Sequence, residues 1–198
     1  MKRRRFAILL PLMLAGCGYN SIQTYDEQTV AAQGQIEVQL QRRADLIGNL
    51  VNTVKGLAAQ ELAVFTEVAR ARSGVMGAVQ SKDPEQMANA NAAMSGALGR
   101  LIAVAEAYPQ IKSDAAFLNL QAELAGTENR IAVSRTDYNG AVQQYNAYIR
   151  KFPAVITAKL TGAKERKYFT ATSAEAREAP KVDFGTPAAP ARPTPAKP

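Results

Sequence analysis

The sequence predicts an all-α protein: an elongated antiparallel (up-and-down) four-helix bundle with long helices and a disordered Pro/Ala-rich C-terminal tail. Apolar residues from Ile36 to Val79 recur at steps of three and four, or sums of these, which is the period of one helix face. The alternation of apolar and polar residues that is typical of a strand is absent. Gly and Pro residues divide the region into long segments with short connections, which favours antiparallel neighbouring helices.

The predicted helices are four long ones and a short fifth, near residues 21–55, 58–81, 84–108, 113–151 and 154–161. Asp83 and Pro84 are typical of a helix start, with Asp83 as the N-cap and Pro84 at the first helical position. Pro109 ends the third helix, and Ser113 is expected to cap the fourth.

The break between the first two helices is weakly marked. Gly56 is the candidate turn, but the apolar period continues past it, so one long kinked helix over 36–80 is an alternative. Along the whole chain we expect four parts: a signal peptide at 1–16, a lipidated amino terminus at 17–20, a helical domain at 21–170 and the tail at 171–198.

The amino terminus carries a basic cluster, Lys2 to Arg5, followed by an apolar run at 6–14. This run is too short to span a bilayer, which takes about 20 helical residues, so the pair is typical of a secretory signal. The chain has 24 Lys and Arg against 17 Asp and Glu, a net charge of +7; without the four leading bases, +3 remains. The charge is therefore weak evidence for nucleic-acid binding, and no nucleic-acid partner is expected.

The signal segment ends in Leu14-Ala15-Gly16-Cys17, which resembles the lipobox of bacterial lipoproteins. The resemblance implies cleavage before Cys17, a diacylglycerol on its thiol and an acyl chain such as palmitate on the new amino terminus. Residue 18 is Gly rather than Asp, as in lipoproteins sent to the outer membrane of Gram-negative hosts. We therefore expect the protein in the bacterial cell envelope, at the periplasmic face of the outer membrane in such a host. The alternative is an uncleaved membrane anchor with an incidental Cys.

Composition excludes several kinds of site. The chain has no His and a single Cys, which rules out a Ser–His triad, a Cys–His pair, an intramolecular disulfide and a Cys-rich zinc site. A carboxylate site for Mg²⁺ or Ca²⁺, or acid chemistry by Asp and Glu, is still possible on composition alone. No metal and no cofactor other than the covalent lipid is expected.

Charged residues interrupt otherwise apolar helix faces. The face of the last long helix that runs from Phe117 to Phe152 includes Glu128 and Arg135, and Arg43 lies on the core face of the first helix. An unpaired buried charge is costly, so these residues must pair inside the protein or face something else.

Three interpretations remain open. The first is a charge layer of Arg43, Glu128 and Arg135 that fixes the register of the helices. The second is a polar groove or assembly surface whose candidate residues are Arg42, Arg43, Asp45, Asn49, Glu106, Glu128 and Arg135. The third, a catalytic pair of acids, has the weakest support because two carboxylates without a visible pocket are not specific.

A Tyr-Asn pair is repeated after seven residues, as Tyr138-Asn139 and Tyr145-Asn146. Heptad spacing puts both pairs on one helix face. The Tyr hydroxyls and Asn amides could form a hydrogen-bonded ladder between helices. Packing with satisfied polar groups is the simpler interpretation, and a ligand or partner surface is the alternative.

Together these segments resemble the LemA family. The resembling segments are Tyr19-Asn20, 36–51 (IEVQLQRRADLIGNLV), 54–56 (VKG), 101–109 (LIAVAEAYP), 127–132 (TENRIA), Arg135, the two later Tyr-Asn pairs and Phe152-Pro153. Two features depart from the family pattern: Gly48 stands where the family usually has Pro, and the Trp that the family tends to carry before residue 36 is missing.

The resemblance implies a small antiparallel helical bundle without established enzymatic activity, often associated with membranes, with one branch linked to magnetosome formation. It also implies candidate partners, namely a membrane metalloprotease or a small membrane-tethered phosphatase-like protein. We therefore expect a lipid-anchored helical scaffold or adaptor of the envelope with protein partners and no catalytic activity. One alternative is a carboxylate- and arginine-lined binder or enzyme for a small or cell-wall ligand. The other is a self-associating protein that remodels membranes.

Overall fold

The computed structural model describes residues 2–55 and 60–171, and within these ranges it contains helices but no strand. The all-α prediction is confirmed. The helices are α1 (Lys2–Lys55), α2 (Leu62–Ser81), α3 (Pro84–Glu106), α4 (Pro109–Lys112), α5 (Ala115–Arg150) and α6 (Ala154–Thr161). The predicted tail lies outside the described residues apart from Ala171.

The first helix is longer than predicted. It was expected to begin near residue 21, which was wrong, because α1 begins at Lys2. The segment before residue 21 is rich in Leu and Ala, which have high helix propensity. The alternative of one kinked helix over 36–80 was also wrong, because α1 ends at Lys55 and α2 begins at Leu62.

The start of α3 agrees with the prediction. Asp83 has an extended backbone conformation, and its Oδ1 accepts hydrogen bonds from the backbone N–H groups of Glu85 at 2.9 Å and Gln86 at 3.3 Å. Pro84 occupies the first helical position, where its missing N–H is not needed. The Asp-Pro signal in the sequence therefore fixes where this helix begins.

The cap of α5 was predicted one residue too early. Asp114, not Ser113, is the N-cap, and its Oδ1 accepts from the N–H of Phe117 at 2.9 Å. The Ser113 hydroxyl instead donates to the carbonyl of Pro109 at 2.9 Å. Pro109 does not only end α3: it opens the one-turn helix α4, and Ser113 closes that turn.

Helix α1 packs against α2, α3, α5 and α6, and its most extensive contacts are with α5 and α2. It runs antiparallel to α5, since Ile22 lies in one cluster with Ile149 while Arg43, farther along α1, pairs with Glu128. It also runs antiparallel to α2, because Gln33 Nε2 donates to the carbonyl of Lys82 while Ala44 accepts from Arg72. Candidate residues on α1 can therefore contact either α5 or α2.

The apolar side chains form two clusters. The larger one joins α1, α2, α3, α4 and α5 around Ile36, Leu40, Ile47, Met94 and Leu101. The smaller one lies at the Gly18 end of the molecule, where its buried members are Ile22, Tyr145, Ile149 and Ala158.

One residue of the predicted apolar face does not belong to the core. Phe152 is 80% exposed, although it continues the spacing of the α5 face. The reason is that α5 ends at Arg150, so Phe152 no longer follows the helical direction. The Phe152–Pro153 peptide bond is cis.

After α6 the chain returns along α5 without forming a helix or strand. We call residues 163–171 the strap. Its Phe169 is buried in the larger core cluster, whereas most of its other side chains are exposed. The strap was not predicted, and it is the main addition that the structure makes to the sequence-based picture.

Candidate functional site

Arg43 is the centre of a polar layer that joins three helices. Its guanidinium donates from Nη1 to Asn91 Oδ1 at 2.7 Å and from Nη2 to Ser95 Oγ at 3.1 Å, both on α3. Nη1 also forms an ion pair with Glu128 Oε2 on α5. The Arg43 side chain is 5% exposed and that of Glu128 is 48% exposed. The layer therefore has a buried cation and a carboxylate at its rim.

Burial dominates the electrostatics of this layer. It lowers the pKa of the Arg43 guanidinium, and the nearby Glu128 carboxylate opposes that shift. Among the residues that the structure describes, two buried side-chain atoms have no hydrogen-bond partner: Arg43 Nε and, one turn earlier, Gln39 Oε1. Since most buried polar groups are paired, this turn of α1 is a locally costly part of the core.

Arg135 is not part of the layer. It is exposed on α5, where it lines a surface cleft together with Asn139 and the end of the strap. Glu106 is exposed at the last residue of α3. Arg42 is exposed and lies 3.8 Å from Glu123, nitrogen to oxygen, across α1 and α5. The predicted three-charge layer thus has two of its members, and the other candidates lie on separate surfaces.

Asp45 and Asn49 face a cleft of about 420 Å³ between α1 and α2. Arg72 reaches across it from α2: its Nη2 lies 3.6 Å from Asp45 Oδ1, and its Nε donates to the carbonyl of Ala44 at 3.0 Å. Gly48 also lines the cleft, and a Cβ at this position would lie 3.6 Å from Arg72 Cζ. The small residue and the arginine therefore shape the same surface.

The repeated asparagines bind the strap rather than another helix. Asn146 pairs with both main-chain groups of Arg166: Nδ2 donates to its carbonyl at 2.9 Å, and Oδ1 accepts from its N–H at 2.8 Å. Asn139 does the same with Phe169, at 3.3 Å and 2.8 Å. Two asparagines seven residues apart on α5 thus bind two residues that are three apart in the extended strap. The predicted ladder between helices was wrong, because the partner is the strap and not another helix.

The two tyrosines of the repeat have different surroundings. The Tyr138 hydroxyl donates to the carbonyl of Lys167 at 2.8 Å, and burial raises its pKa to about 12. Tyr145 lies in the smaller apolar cluster, and burial followed by the charge of Asp26 raises its pKa. Tyr138 therefore helps to hold the strap, while Tyr145 packs beneath it.

Two ion pairs hold the strap from other helices. Arg166 Nε and Nη2 each donate to one oxygen of Asp26 on α1 at 2.8 Å. Lys167 Nζ lies 2.9 Å from Oδ2 of Asp83, the N-cap of α3. The hydrogen bond from Lys167 is the main reason that the pKa of Asp83 is lowered. The bidentate Arg166–Asp26 geometry is the stronger of the two interactions.

Sequence reasoning missed Asp26, Arg166, Lys167 and Phe169. The available signal was a charged and aromatic run at 164–169 after the last helix, with Phe169 as an apolar residue that no helical period explained. Nothing in this run identifies its partners, because they lie between 15 and 140 positions away in the chain.

Neither a membrane-spanning helix nor a metal-ion cluster occurs in the described part of the chain. There, no helix has a stretch apolar enough to cross a bilayer. Across the same residues, no group of three or more His, Cys, Asp or Glu side chains is placed to hold a metal ion.

The segments that form these contacts are similar to those of known proteins. Residues 32–184 match the model of the LemA family, which is more than half of the chain. The chain belongs to the LemA family. Magnetosome proteins MamQ 1 and MamQ 2 of Paramagnetospirillum magneticum are each 33% identical to it over 174 residues. Magnetosome protein MamQ of Magnetospirillum gryphiswaldense is 30% identical. Each alignment covers 76% of this chain and 64% of the relative, so the chain spans less than two thirds of those proteins.

The LemA match contains the Arg43 layer, both Tyr-Asn pairs and the whole strap. It therefore confirms the resemblance that those residues suggested. Cys17 and Asp26 precede the matched residues. The Asp26–Arg166 pair thus ties the segment before the LemA match to a strap residue within it.

Proposed function

We propose that this LemA-family protein is a membrane-anchored, non-catalytic helical scaffold of the bacterial envelope. The observation that supports it most directly is the set of contacts of Arg43. This residue of α1 binds groups on α3 and α5 and so holds three helices together. In this proposal the four long helices form one elongated antiparallel bundle. Its polar layer fixes their register, which suits a rigid support better than a reaction centre.

The anchor is proposed to be a lipid on Cys17. The lipobox-like sequence before it supports this, and Gly18 favours the periplasmic face of the outer membrane in a Gram-negative host. The names of the relatives, magnetosome proteins, support a role at a bacterial membrane structure. Diacylglycerol and an acyl chain together would give stable attachment, since anchoring takes two such signals.

Lipid attachment is tested by metabolic labelling with a palmitate analogue and by mass spectrometry of the amino-terminal peptide. Wild type should carry the label, and Cys17→Ser should not. A matched control moves the thiol by four positions: Cys17→Ser/Ser21→Cys should remain unlabelled because its Cys no longer follows Leu14-Ala15-Gly16. Equal labelling of wild type and Cys17→Ser contradicts the lipid anchor.

Partners of the scaffold are proposed to be envelope proteins, with a membrane metalloprotease or a small membrane-tethered phosphatase-like protein as candidates, and further copies of the chain. The side chains of Val38 on α1 and Val133 on α5 are more than half exposed and suit photo-crosslinking probes. Crosslinking in cells followed by pull-down should recover a recurring partner. Recovery of monomer alone from both positions counts against the scaffold.

A second candidate function is binding of a small or cell-wall ligand in the cleft between α1 and α2. The cleft of about 420 Å³ favours it, with Asp45, Asn49 and Arg72 supplying polar groups. Peptidoglycan fragments should then raise the melting temperature of wild type but not of Asn49→Ala. The control Asn129→Ala removes an exposed amide of α5 outside the cleft and should respond as wild type does. No shift with any fragment contradicts this candidate.

Membrane remodelling by self-association is the remaining alternative, and the magnetosome names of the relatives favour it. It requires higher-order oligomers on liposomes, which sedimentation and electron microscopy of the lipidated protein would detect. A lipidated protein that stays monomeric on undeformed liposomes contradicts it.

A further inference from the structure

The outer face of α6 is strongly apolar. Phe152, Ile156 and Leu160 follow one another at steps of four and are 80%, 52% and 79% exposed. Phe152 and Leu160 are the most exposed large apolar side chains in the described part of the chain. Ile156 and Leu160 are one turn apart on the same side of α6 and form an apolar strip, and Phe152 is exposed two residues before the helix begins. Such strips on soluble surfaces mark interaction sites.

The inner face of α6 packs at the end of α1 that follows the proposed anchor. Ala154, Thr157 and Ala158 are buried there. A Cβ at Gly18 would lie 3.3 Å from Thr157 Oγ1 and 3.7 Å from Ala154 Cα, so the two helices approach closely at this position. Since Gly18 is the residue next to Cys17, α6 is held within one residue of the lipid attachment point.

The charges around α6 are predominantly basic. Lys151, Lys159 and Lys164 are exposed and form no ion pair shorter than 4.0 Å in the described part of the chain. Arg150 pairs with Glu165, nitrogen to oxygen, at 3.6 Å. Long basic side chains beside an apolar strip can extend toward lipid phosphates while the strip enters the acyl boundary.

From these three observations we infer that the outer face of α6 lies on the bilayer as an interfacial contact and binds anionic phospholipid. The inference rests on the proposed membrane anchor. The anchor holds α6 at the membrane surface at a high effective concentration, so the strip of Ile156 and Leu160, with Phe152 just before the helix, suffices for contact. The contact would orient the long helices relative to the membrane, which a flexible lipid tether alone does not do.

The test uses tryptophan fluorescence of the full, lipid-modified chain in vesicles, because the chain has no Trp of its own. Leu160→Trp places the only indole on the strip. The matched control, Leu118→Trp, replaces another exposed Leu near the opposite end of α5, roughly 50 Å away at 1.5 Å per residue. Vesicles contain phosphatidylcholine and phosphatidylglycerol in a two-to-one ratio, with or without a spin-labelled lipid as quencher.

The spin-labelled lipid should quench most of the Leu160→Trp emission and almost none of the Leu118→Trp emission. Aqueous acrylamide should show the reverse order, with at least a several-fold difference between the two positions. In pure phosphatidylcholine, or with Lys151→Gln/Lys159→Gln, quenching of Leu160→Trp by lipid should weaken. Circular dichroism of each variant checks that its helix content is unchanged.

Vesicle flotation separates this inference from the anchor. If both proteins float but Leu160→Trp is as accessible to acrylamide as Leu118→Trp, the α6 contact is wrong and the anchor stands. That result would also favour a protein partner for the strip. If neither protein floats, the anchor and the contact are both wrong. Equal quenching in the two lipid compositions overturns the anionic preference.

Discussion

Asn146 on α5 hydrogen-bonds to both main-chain groups of Arg166, with its amide acting as a donor at 2.9 Å and as an acceptor at 2.8 Å. A side-chain amide that pairs in this way makes the two hydrogen bonds that one residue of a neighbouring strand would make. Asn139 repeats the arrangement with Phe169, so α5 offers two fixed attachment points to an extended segment. The strap is thus held through its backbone as well as through its side chains.

Replacing Asn146 with Ala should loosen the strap. The variant loses two hydrogen bonds and leaves the main-chain groups of Arg166 without partners, at an expected loss of about 1–3 kcal/mol in the free energy of unfolding. Hydrogen exchange should show faster exchange of the Arg166 and Phe169 amides. The control Asn129→Ala removes an exposed amide from the same helix and should change neither quantity. Unchanged protection of the Arg166 amide in Asn146→Ala would show that the strap does not depend on this pair.

The Arg43–Glu128 pair should be asymmetric under mutation. Glu128→Gln leaves the buried Arg43 cation without a counter-ion, and we expect a loss of about 1–3 kcal/mol, reduced from the fully buried case because Glu128 is half exposed. Arg43→Met removes the buried charge itself, and Glu128 can turn to water, so the loss should be smaller. Urea denaturation measures both.

Two further variants control this comparison. Glu123→Gln breaks an exposed pair with Arg42 and should change stability by less than about 1 kcal/mol. The double variant Arg43→Met/Glu128→Gln should be no less stable than Glu128→Gln alone. Additive losses in the double variant would mean that Arg43 and Glu128 act independently.

Tyr138 should make stability depend on alkaline pH. Burial raises the pKa of its hydroxyl from 10.0 to about 12, so the folded state favours the protonated phenol. Its contribution is fully present below pH 10 and is lost as the pH rises through 12. The stability difference between wild type and Tyr138→Phe should therefore shrink by about 2 kcal/mol across that window. The hydrogen bond to Asp83 raises the pKa of Lys167 as well, but Lys167 is present in both proteins. A constant difference would contradict the raised pKa of Tyr138.

Gly48 should tolerate the Pro that the family pattern usually has there. In an α-helix the N–H of residue 48 donates to the carbonyl of residue 44. Pro removes that donor and its ring crowds the same carbonyl, at a usual total loss of about 3 kcal/mol. Here the Ala44 carbonyl already accepts from Arg72 Nε at 3.0 Å, so it keeps a partner. Arg72 offsets the lost hydrogen bond but not the crowding by the ring. Gly48→Pro should therefore lower the melting temperature less than Gly140→Pro in α5, and Gly48→Pro/Arg72→Ala should lose that advantage. Equal losses for the two single variants would contradict the role of Arg72.

The parts of the fold that sequence reasoning predicted are those that local chemistry decides. Asp83 and Pro84 fix the start of α3, and the helical period reports the core side of α1. A choice between two adjacent capping residues was harder to predict, because Ser113 and Asp114 can both cap a helix. The turn that begins at Pro109 takes the Ser113 hydroxyl, which leaves Asp114 to cap α5. The polar layer was predicted in part, because the period places Arg43 and Glu128 inward but does not show that Arg135 has rotated to the surface.

The strap was beyond such reasoning because its interactions are distant in the chain. Arg166 binds Asp26 across 140 positions, and no period or turn signal connects the two. The Tyr-Asn repeat did indicate a specific surface on α5. Its partner could not be assigned, since an Asn amide pairs equally well with a helix end, an extended segment or a ligand.

The direction of the strap has a mechanical consequence. It leaves the Gly18 end of the molecule and passes Asn146 before Asn139, so it points away from the proposed anchor. A pull on the polypeptide beyond Ala171, directed away from the Gly18 end, would act along the strap. The two amide pairs and the Asp26–Arg166 bridge would then be loaded together in shear rather than peeled apart one by one. Tension between the two chain ends would therefore be carried into α5 and α1 through side chains.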